Sequence, residues 1–217
     1  MSDNFKRQAA LAALSEIRDG MVVGLGTGST ASIFIRELGK AGVKVLGIPT
    51  SEESGRLAEE VGLKLTTFND NPEIDVTVDG ADEVSPELHL TKGLGGALVR
   101  EKIVAHAAKR VVIIVDESKL VPKLGSKTAI PVEVIPLAVP RVMLQLKHAT
   151  IREKNGRTFI SDNGNNILDW KSAPIDDPAA LENRLKAMTG VVDSGIFANV
   201  ADVVIVAGAA GIQRKEK

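Results

Sequence analysis

The chain has 217 residues, 44% of them hydrophobic and 25% charged, with a formal net charge of -1. This is enough for one substantial core with or without a smaller attached domain, and its apolar runs fall far short of the ~20 residues that span a bilayer. The near-neutral charge, five Phe, one Trp and no Tyr argue against nucleic-acid binding. Having no cysteine removes disulfides, thiolate nucleophiles and Cys-held metals, so a reducing cytoplasm is the expected setting.

Lys6-Arg7 followed by Ala9–Leu14 has a faint secretory look. However, the apolar run is shorter than the ~7 to 15 residues of a signal core, and Ser15–Asp19 continues a helical pattern. An amphipathic first helix is expected. Met21–Leu25 then reads as a strand entering a glycine loop, Gly24-Leu-Gly-Thr-Gly-Ser-Thr30, and Ser29–Leu38 as a helix closed by Gly39. Val43–Ile48, Leu63–Thr67 and Ile74–Val78 read as strands, with a helix over Glu52–Val61, and the third of these strands delivers Asp79 to a carboxyl end. A helix over Ala97–Lys109 leads into Val111–Val115, the most apolar and expectedly central strand. The alternation is that of a parallel α/β sheet, in which ligands sit at the carboxyl ends of the strands.

The texture changes after Gly125, with Pro131, Pro136 and Pro140 and polar turns such as Ser161–Asn166. Strands near Val132–Ile135, Thr150–Glu153, Ile167–Trp170 and Val191–Phe197, with helices over Arg141–His148 and Pro178–Met188, spell βαββαβ, the split order of ferredoxin-like units. The apolar strand Val203–Ala207 then returns the chain to the first sheet. The expected domains are 1–127 with 202–217, and 128–201.

The chemistry concentrates between Asp79 and Glu101, where acids, a lysine and bare glycine amides share one short stretch. Such a mixture suits a carboxylate pulling a proton from carbon while fixed donors and a cation hold the resulting charge. The first glycine loop opens onto a helix N-terminus and favours an anion, although the same pattern also serves tight turns. It lacks the Gly-Lys-Ser/Thr of a Walker loop and the G-x-G-x-x-G spacing of dinucleotide folds, and the second strand ends at Pro49-Thr-Ser51 without a ribose-binding acid. A single sugar phosphate fits it better. Asp79, Asp82 and Glu83 read either as a capping turn or as acids tuned by Lys92; His89, His106 and His148 show no metal-ligand spacing. Glu101 is either a solvated helix residue or a carboxylate carried over the Lys92 loop, and Lys119 either an ordinary loop lysine or a further cation at the same rim.

Gly26-Thr-Gly-Ser-Thr30, Asp79-Gly-Ala-Asp-Glu83, Lys92-Gly with its following glycines, Arg100-Glu-Lys102, Ser118-Lys119, Pro131-Val-Glu-Val-Ile-Pro136 and Asp162-Asn-Gly-Asn165 together resemble ribose-5-phosphate isomerase of the A type. The resemblance runs from about Lys6 to the last strand. It implies interconversion of ribose 5-phosphate and ribulose 5-phosphate in the non-oxidative pentose phosphate pathway, without metal or other cofactor. It also implies a Rossmann-like domain with an inserted ferredoxin-like lid and oligomerisation domain, assembled as a homodimer or homotetramer. Carried onto this chain, Glu101 is the base that moves a proton between C2 and C1, Asp79 assists ring opening, and Asp82 and Lys92 attend the hydroxyls and the oxyanion. The substrate-binding set is Lys6, Thr27, Gly28, Ser29, Thr30, Gly80, Ala81, Gly93, Leu94, Gly95 and Lys119. Leu94 departs from the family, which commonly has glycine there, and would be strained only at positive φ. A non-catalytic sugar-phosphate sensor is the competing reading. It would need the phosphate loop but has no use for Glu101 and Lys92.

Overall fold

The computed structural model describes residues 2–217. Along them run helix α1 (Ser2–Ala13), strand β1 (Val22–Leu25), α2 (Ser29–Ala41), β2 (Leu46–Pro49), α3 (Glu52–Glu60), β3 (Lys64–Leu65), β4 (Val76–Asp79), β5 (Glu83–Val84) and β6 (Leu90–Thr91). Then come α4 (Leu98–Ala107), β7 (Val111–Asp116), β8 (Ile130–Val134), α5 (Val139–Gln145), β9 (Ala149–Ile151), β10 (Glu153–Lys154) and β11 (Arg157–Thr158). The chain ends with β12 (Asn166–Trp170), α6 (Pro178–Lys186), β13 (Val191–Ser194), β14 (Ile196–Phe197), β15 (Val203–Gly208) and β16 (Gly211–Glu216). These elements form two compact units. One takes the chain up to Ala81 with Arg100–Lys119 and Val200–Lys217; the other takes Asp82–Val99 and Leu120–Asn199.

In the first unit a seven-stranded sheet has the order β16-β15-β7-β4-β1-β2-β3. All neighbours pair in parallel except the β15–β16 hairpin. Every residue of β4, β7 and β15 is buried, which is why β7 and β15 open as unbroken Val/Ile runs instead of alternating ones. The middle strand is β4, with β7 beside it. Helix α1 covers one face through Ala9, Ala10 and Ala13, small residues that let it lie close to the sheet. On α4, Val104 packs with Val22, Ile48 and Ile74.

Several boundaries differ from the expected ones for local reasons. Helix α2 continues through Gly39 and closes at Gly42, which is left-handed at φ 70° and can end a helix without Cβ strain. The pattern over Ser15–Asp19 does not extend α1; a short 3₁₀ turn at Leu14–Glu16 follows it instead. Strand β16 escaped the reading because Gln213–Glu216 is polar; an edge strand needs only its hairpin partner and exposed charge.

Charge ties that edge down. Glu16 receives Nε of Arg110 at 3.0 Å and Nη1 of Arg214 at 2.5 Å. Burial pushes the Glu16 carboxyl up, but its bonds to Arg214 and Arg110 outweigh that and hold it below its ordinary 4.5. Because the folded value is the depressed one, the stabilisation is complete above about 4.5 and is lost as acid takes the pH down through the folded-state value. Glu16→Gln is therefore expected to lower the melting temperature at pH 7 by roughly 2–4 °C, about 1 kcal/mol. Melting curves across pH check this: the gap between the two proteins should close below pH 4.5.

In the second unit, β8, α5, β9, β12, α6 and β13 realise the expected βαββαβ order as an antiparallel sheet, β13-β8-β12-β9. Its core is Val132, Val134, Val142, Leu168, Leu181 and Leu185. The expected single strand over Val191–Phe197 is two strands. The chain bends at Gly195, whose N–H donates to Pro131 and whose carbonyl accepts from Lys92, and β14 joins β6 and β5 in a separate sheet. That pairing gathers 82–99 with 120–199, a different division from the 128–201 segment expected from composition.

Candidate active site

From β1 the chain moves to β2 and β3 on one side of the sheet, and from β4 to β7 and β15 on the other. A crevice opens outside the carboxyl ends of adjacent strands at such a switch in direction. Here those ends carry the Gly26–Thr30 loop and Asp79.

Gly26 lies against Asp79 so closely that an added Cβ would stand 2.2 Å from Oδ1. The same Oδ1 accepts the N–H of Thr27 at 3.1 Å and of Gly80 at 2.7 Å, fixing a carboxylate that is only 4% exposed. Gly28, at φ 102° and ψ 177°, adopts a turn reserved for glycine and opens α2, whose leading N–H groups have no partner within the helix. Thr30 is buried at this end and Ser29 exposed. The Thr27 hydroxyl is bonded to Thr50 at 2.7 Å and Ser51 at 2.8 Å, so its side chain braces the loop from the end of β2. Sequence reading passed over Thr50 and Ser51 except to note the missing acid; their place at the carboxyl end of a strand beside β1 was the available signal.

Glu101 stands in the first turn of α4 and is 4% exposed. A crossover helix runs antiparallel to the strands it joins, so its first turn lies at their carboxyl ends. Glu101 is three residues ahead of Val104, which faces the sheet against Gly24, and so shares its inward face. Lys119 ends a 3₁₀ turn directly after β7, half-buried at the same edge, and Ser118 there donates to Asp116. Lys6, on α1, lies 3.5 Å from Asp3.

The chain passes from one unit to the other at 81/82 and returns at 99/100, both inside the chemically dense stretch. On the second unit's side, Asp82 accepts the N–H of Leu94 at 3.0 Å. Lys92 is 3% exposed, its backbone tied to Gly195, with Nζ 5.7 Å above the Phe197 ring. Gly93 and Gly96 take positive φ but Leu94 does not; its side chain is 44% exposed, so the departure from glycine strains nothing. Gly95 is exposed as well, and Gly80 and Ala81 are half-buried at the crossing.

Two further carboxylates are structural. Glu83, fully buried, accepts the N–H groups of Gly125, Lys127 and Thr128. Glu133 Oε1 accepts Ser161, Asn163 and Asn165 side chains, so the Pro131–Pro136 and Asp162–Asn165 blocks meet in one contact. Among the described residues no group of three or more His, Cys, Asp or Glu side chains has the arrangement to hold a metal, and no helix is long and apolar enough to cross a membrane.

A parallel sheet with a glycine loop and a buried aspartate at its switch point, and a buried acid opening a crossover helix, defines an α/β protein with carboxylates gathered at the carboxyl ends of its strands. Residues 46–211 match the family model for ribose 5-phosphate isomerase A (phosphoriboisomerase A). The ribose-5-phosphate isomerase A of Methanothermobacter thermautotrophicus is 49% identical, with 97% of this chain and 96% of that one covered. A D-ribose-5-phosphate isomerase solved in complex with phospho-erythronic acid is similar with a TM-score of 0.97 at 41% identity, covering 100% of both chains. The ribose 5-phosphate isomerase A structure from Methanocaldococcus jannaschii gives 0.93 at 44% identity, with 99% of each chain covered. The chain belongs to the ribose-5-phosphate isomerase A family.

Proposed function

We propose that this protein interconverts D-ribose 5-phosphate and D-ribulose 5-phosphate through an enediolate, a step of the non-oxidative pentose phosphate pathway. The observation that carries this reading is a carboxylate at position 101, 4% exposed, at the carboxyl-end rim that also holds Asp79 and the glycine loop. Ser29, Thr30, the amides opening α2 and Lys6 take the phosphate, with Lys119 as a further cation. Asp79 assists opening of the furanose ring by exchanging a proton with its oxygen. Glu101 then removes the C2 proton; the electron pair forms the C1–C2 double bond and the aldehyde oxygen becomes the oxyanion.

Lys92 and the amides of Gly93 and Gly95 hold that charge, each preorganised donor contributing about 2.7 to 4 kcal/mol, while Asp82, held by the Leu94 N–H, attends the sugar hydroxyls. Glu101 returns the proton to C1 as the C2 oxygen becomes the ketone. Phosphate binding supplies orientation, so an unphosphorylated pentose should lose turnover as well as affinity. We assign the 128–201 segment the roles of lid and oligomerisation domain in a homodimer or homotetramer, as the resemblance implies, and place the protein in the cytoplasm, in keeping with a chain that has no cysteine.

Purified protein is expected to form ribulose 5-phosphate from ribose 5-phosphate without added metal and equally well in EDTA. In deuterated solvent the ketose should acquire deuterium at C1. Failure to isomerise sinks the activity, and a strict metal requirement sinks the cofactor-free mechanism.

A further inference from the structure

Against the carbonyls of the Lys92–Gly95 loop the second unit sets a largely buried cation. Arg152 follows β9, and its side chain is 11% exposed. Its Nε donates to Oδ2 of Asp169 at 3.0 Å and its Nη2 to Oδ1 of the same carboxylate, so β12 holds the guanidinium by a two-pronged pair. The remaining nitrogen, Nη1, donates to the carbonyl oxygens of Gly93 at 2.7 Å and of Leu94 at 3.0 Å. We propose that Arg152 is a positioning residue for the isomerisation: it fixes and polarises two consecutive peptide groups of the Lys92 loop, orienting Asp82 through one and the Gly95 amide through the other. This rests on the isomerase reading.

The argument follows from peptide geometry. The Gly93 carbonyl and the Leu94 N–H belong to one planar group and point oppositely, as do the Leu94 carbonyl and the Gly95 N–H. Pinning the oxygens therefore aims the two N–H groups away from the guanidinium, and a cation on a carbonyl oxygen makes the N–H of the same peptide a stronger donor. The first of these N–H groups donates to Asp82 at 3.0 Å. Hydrogen bonds thus run unbroken from Asp169 through Arg152 and the 93–94 peptide to Asp82. Only a planar fork can grip a carboxylate with one edge and two carbonyls with its other nitrogen; a lysine ammonium is a point donor on a shorter reach.

The test compares wild type, Arg152→Met and Arg152→Lys in ribose 5-phosphate kinetics, with phospho-erythronic acid and inorganic phosphate as inhibitors. Both variants are expected to lose roughly 10- to 100-fold in kcat, no more than loss of an oxyanion donor itself costs, with KM changed less than about threefold. Inhibition by phospho-erythronic acid, which carries hydroxyl and carboxylate oxygens beyond its phosphate, should weaken about tenfold, while inhibition by phosphate alone stays as in wild type. If Arg152→Met fails to fold, Arg152→Lys, which keeps the charge and most of the stem, carries the test. A combined Asp82→Asn, Arg152→Lys protein should lose clearly less than the product of the two single losses, because one of the two branches from Arg152 runs through Asp82.

Wild-type kcat in Arg152→Lys, an equal loss of phosphate inhibition, or full multiplication of the two losses overturns the inference. A wild-type protein inactive on ribose 5-phosphate overturns the isomerase reading and this one with it; an active wild type with unaffected variants overturns this one alone.

Discussion

Glu101→Gln is expected to bind ribose 5-phosphate nearly as well as wild type and to lose roughly 10²- to 10⁴-fold in kcat, the contribution of a positioned base. In barrier terms this is about 3 to 5.5 kcal/mol. Glutamine has the same size, so the packing around a side chain only 4% exposed is retained. What disappears is the capacity to accept a proton. Burial alone does not mark a base: Glu83 and Glu133 are also buried, but Glu83 accepts the N–H groups of Gly125, Lys127 and Thr128, and Oε1 of Glu133 accepts the side chains of Ser161, Asn163 and Asn165 inside the second unit. Glu101 differs in standing at the opening turn of α4, where a crossover helix meets the strand ends. The decisive measurement is exchange of the C2 proton with deuterated solvent. A variant that exchanges near the wild-type rate shows that another group takes the proton.

How much of this was legible beforehand follows from the range of the interactions. Val111–Asp116 is buried on both sides and reads as a strand from composition alone. Asp79 falls at a strand end because the apolar run stops there, whereas Glu101 stayed open between solvent and the Lys92 loop until the packing of Val104, one turn further on, identified the inward face of α4. The βαββαβ order of the second unit was equally plain, since its turns are punctuated by glycine, proline and asparagine.

What stayed hidden depends on partners far away in sequence. The β14-β6-β5 sheet joins Leu90–Thr91 to Ile196–Phe197, and nothing local to either pair of residues announces it. Thr50 and Ser51 looked like the end of a strand without a useful acid, yet their hydroxyls hold Thr27. Arg152 falls within the expected strand Thr150–Glu153 and carried no reading of its own; its meaning comes from carbonyls 59 and 58 residues earlier. An arginine in a short strand is ordinarily solvated, so only three-dimensional placement separates this one from its neighbours.

The closeness of β1 to β4 sets the second large effect. In Gly26→Ala the new Cβ would lie 2.2 Å from Oδ1, 2.4 Å from Cγ and 2.6 Å from Cα of Asp79. A flexible tip could swing aside, but a Cα is backbone, so the strand ends must separate or the loop must lift. Either movement breaks the 3.1 Å bond from the Thr27 N–H to Asp79 and shifts the amides at the start of α2. Overpacking of this kind costs about 1–3 kcal/mol, or roughly 3–10 °C in melting temperature for a chain of this length. Activity should suffer more than stability, because displacing the carboxylate and the phosphate loop by ~1 Å costs about 10²-fold in kcat/KM. Gly28 supplies the contrast: it has nothing within 4 Å of its added Cβ but sits at φ 102°, so strain arises there without a collision with Asp79. Thermal melts and ribose 5-phosphate kinetics on Gly26→Ala check the claim. Wild-type values in both would mean that the approach of the two strand ends is not what holds Asp79 in place.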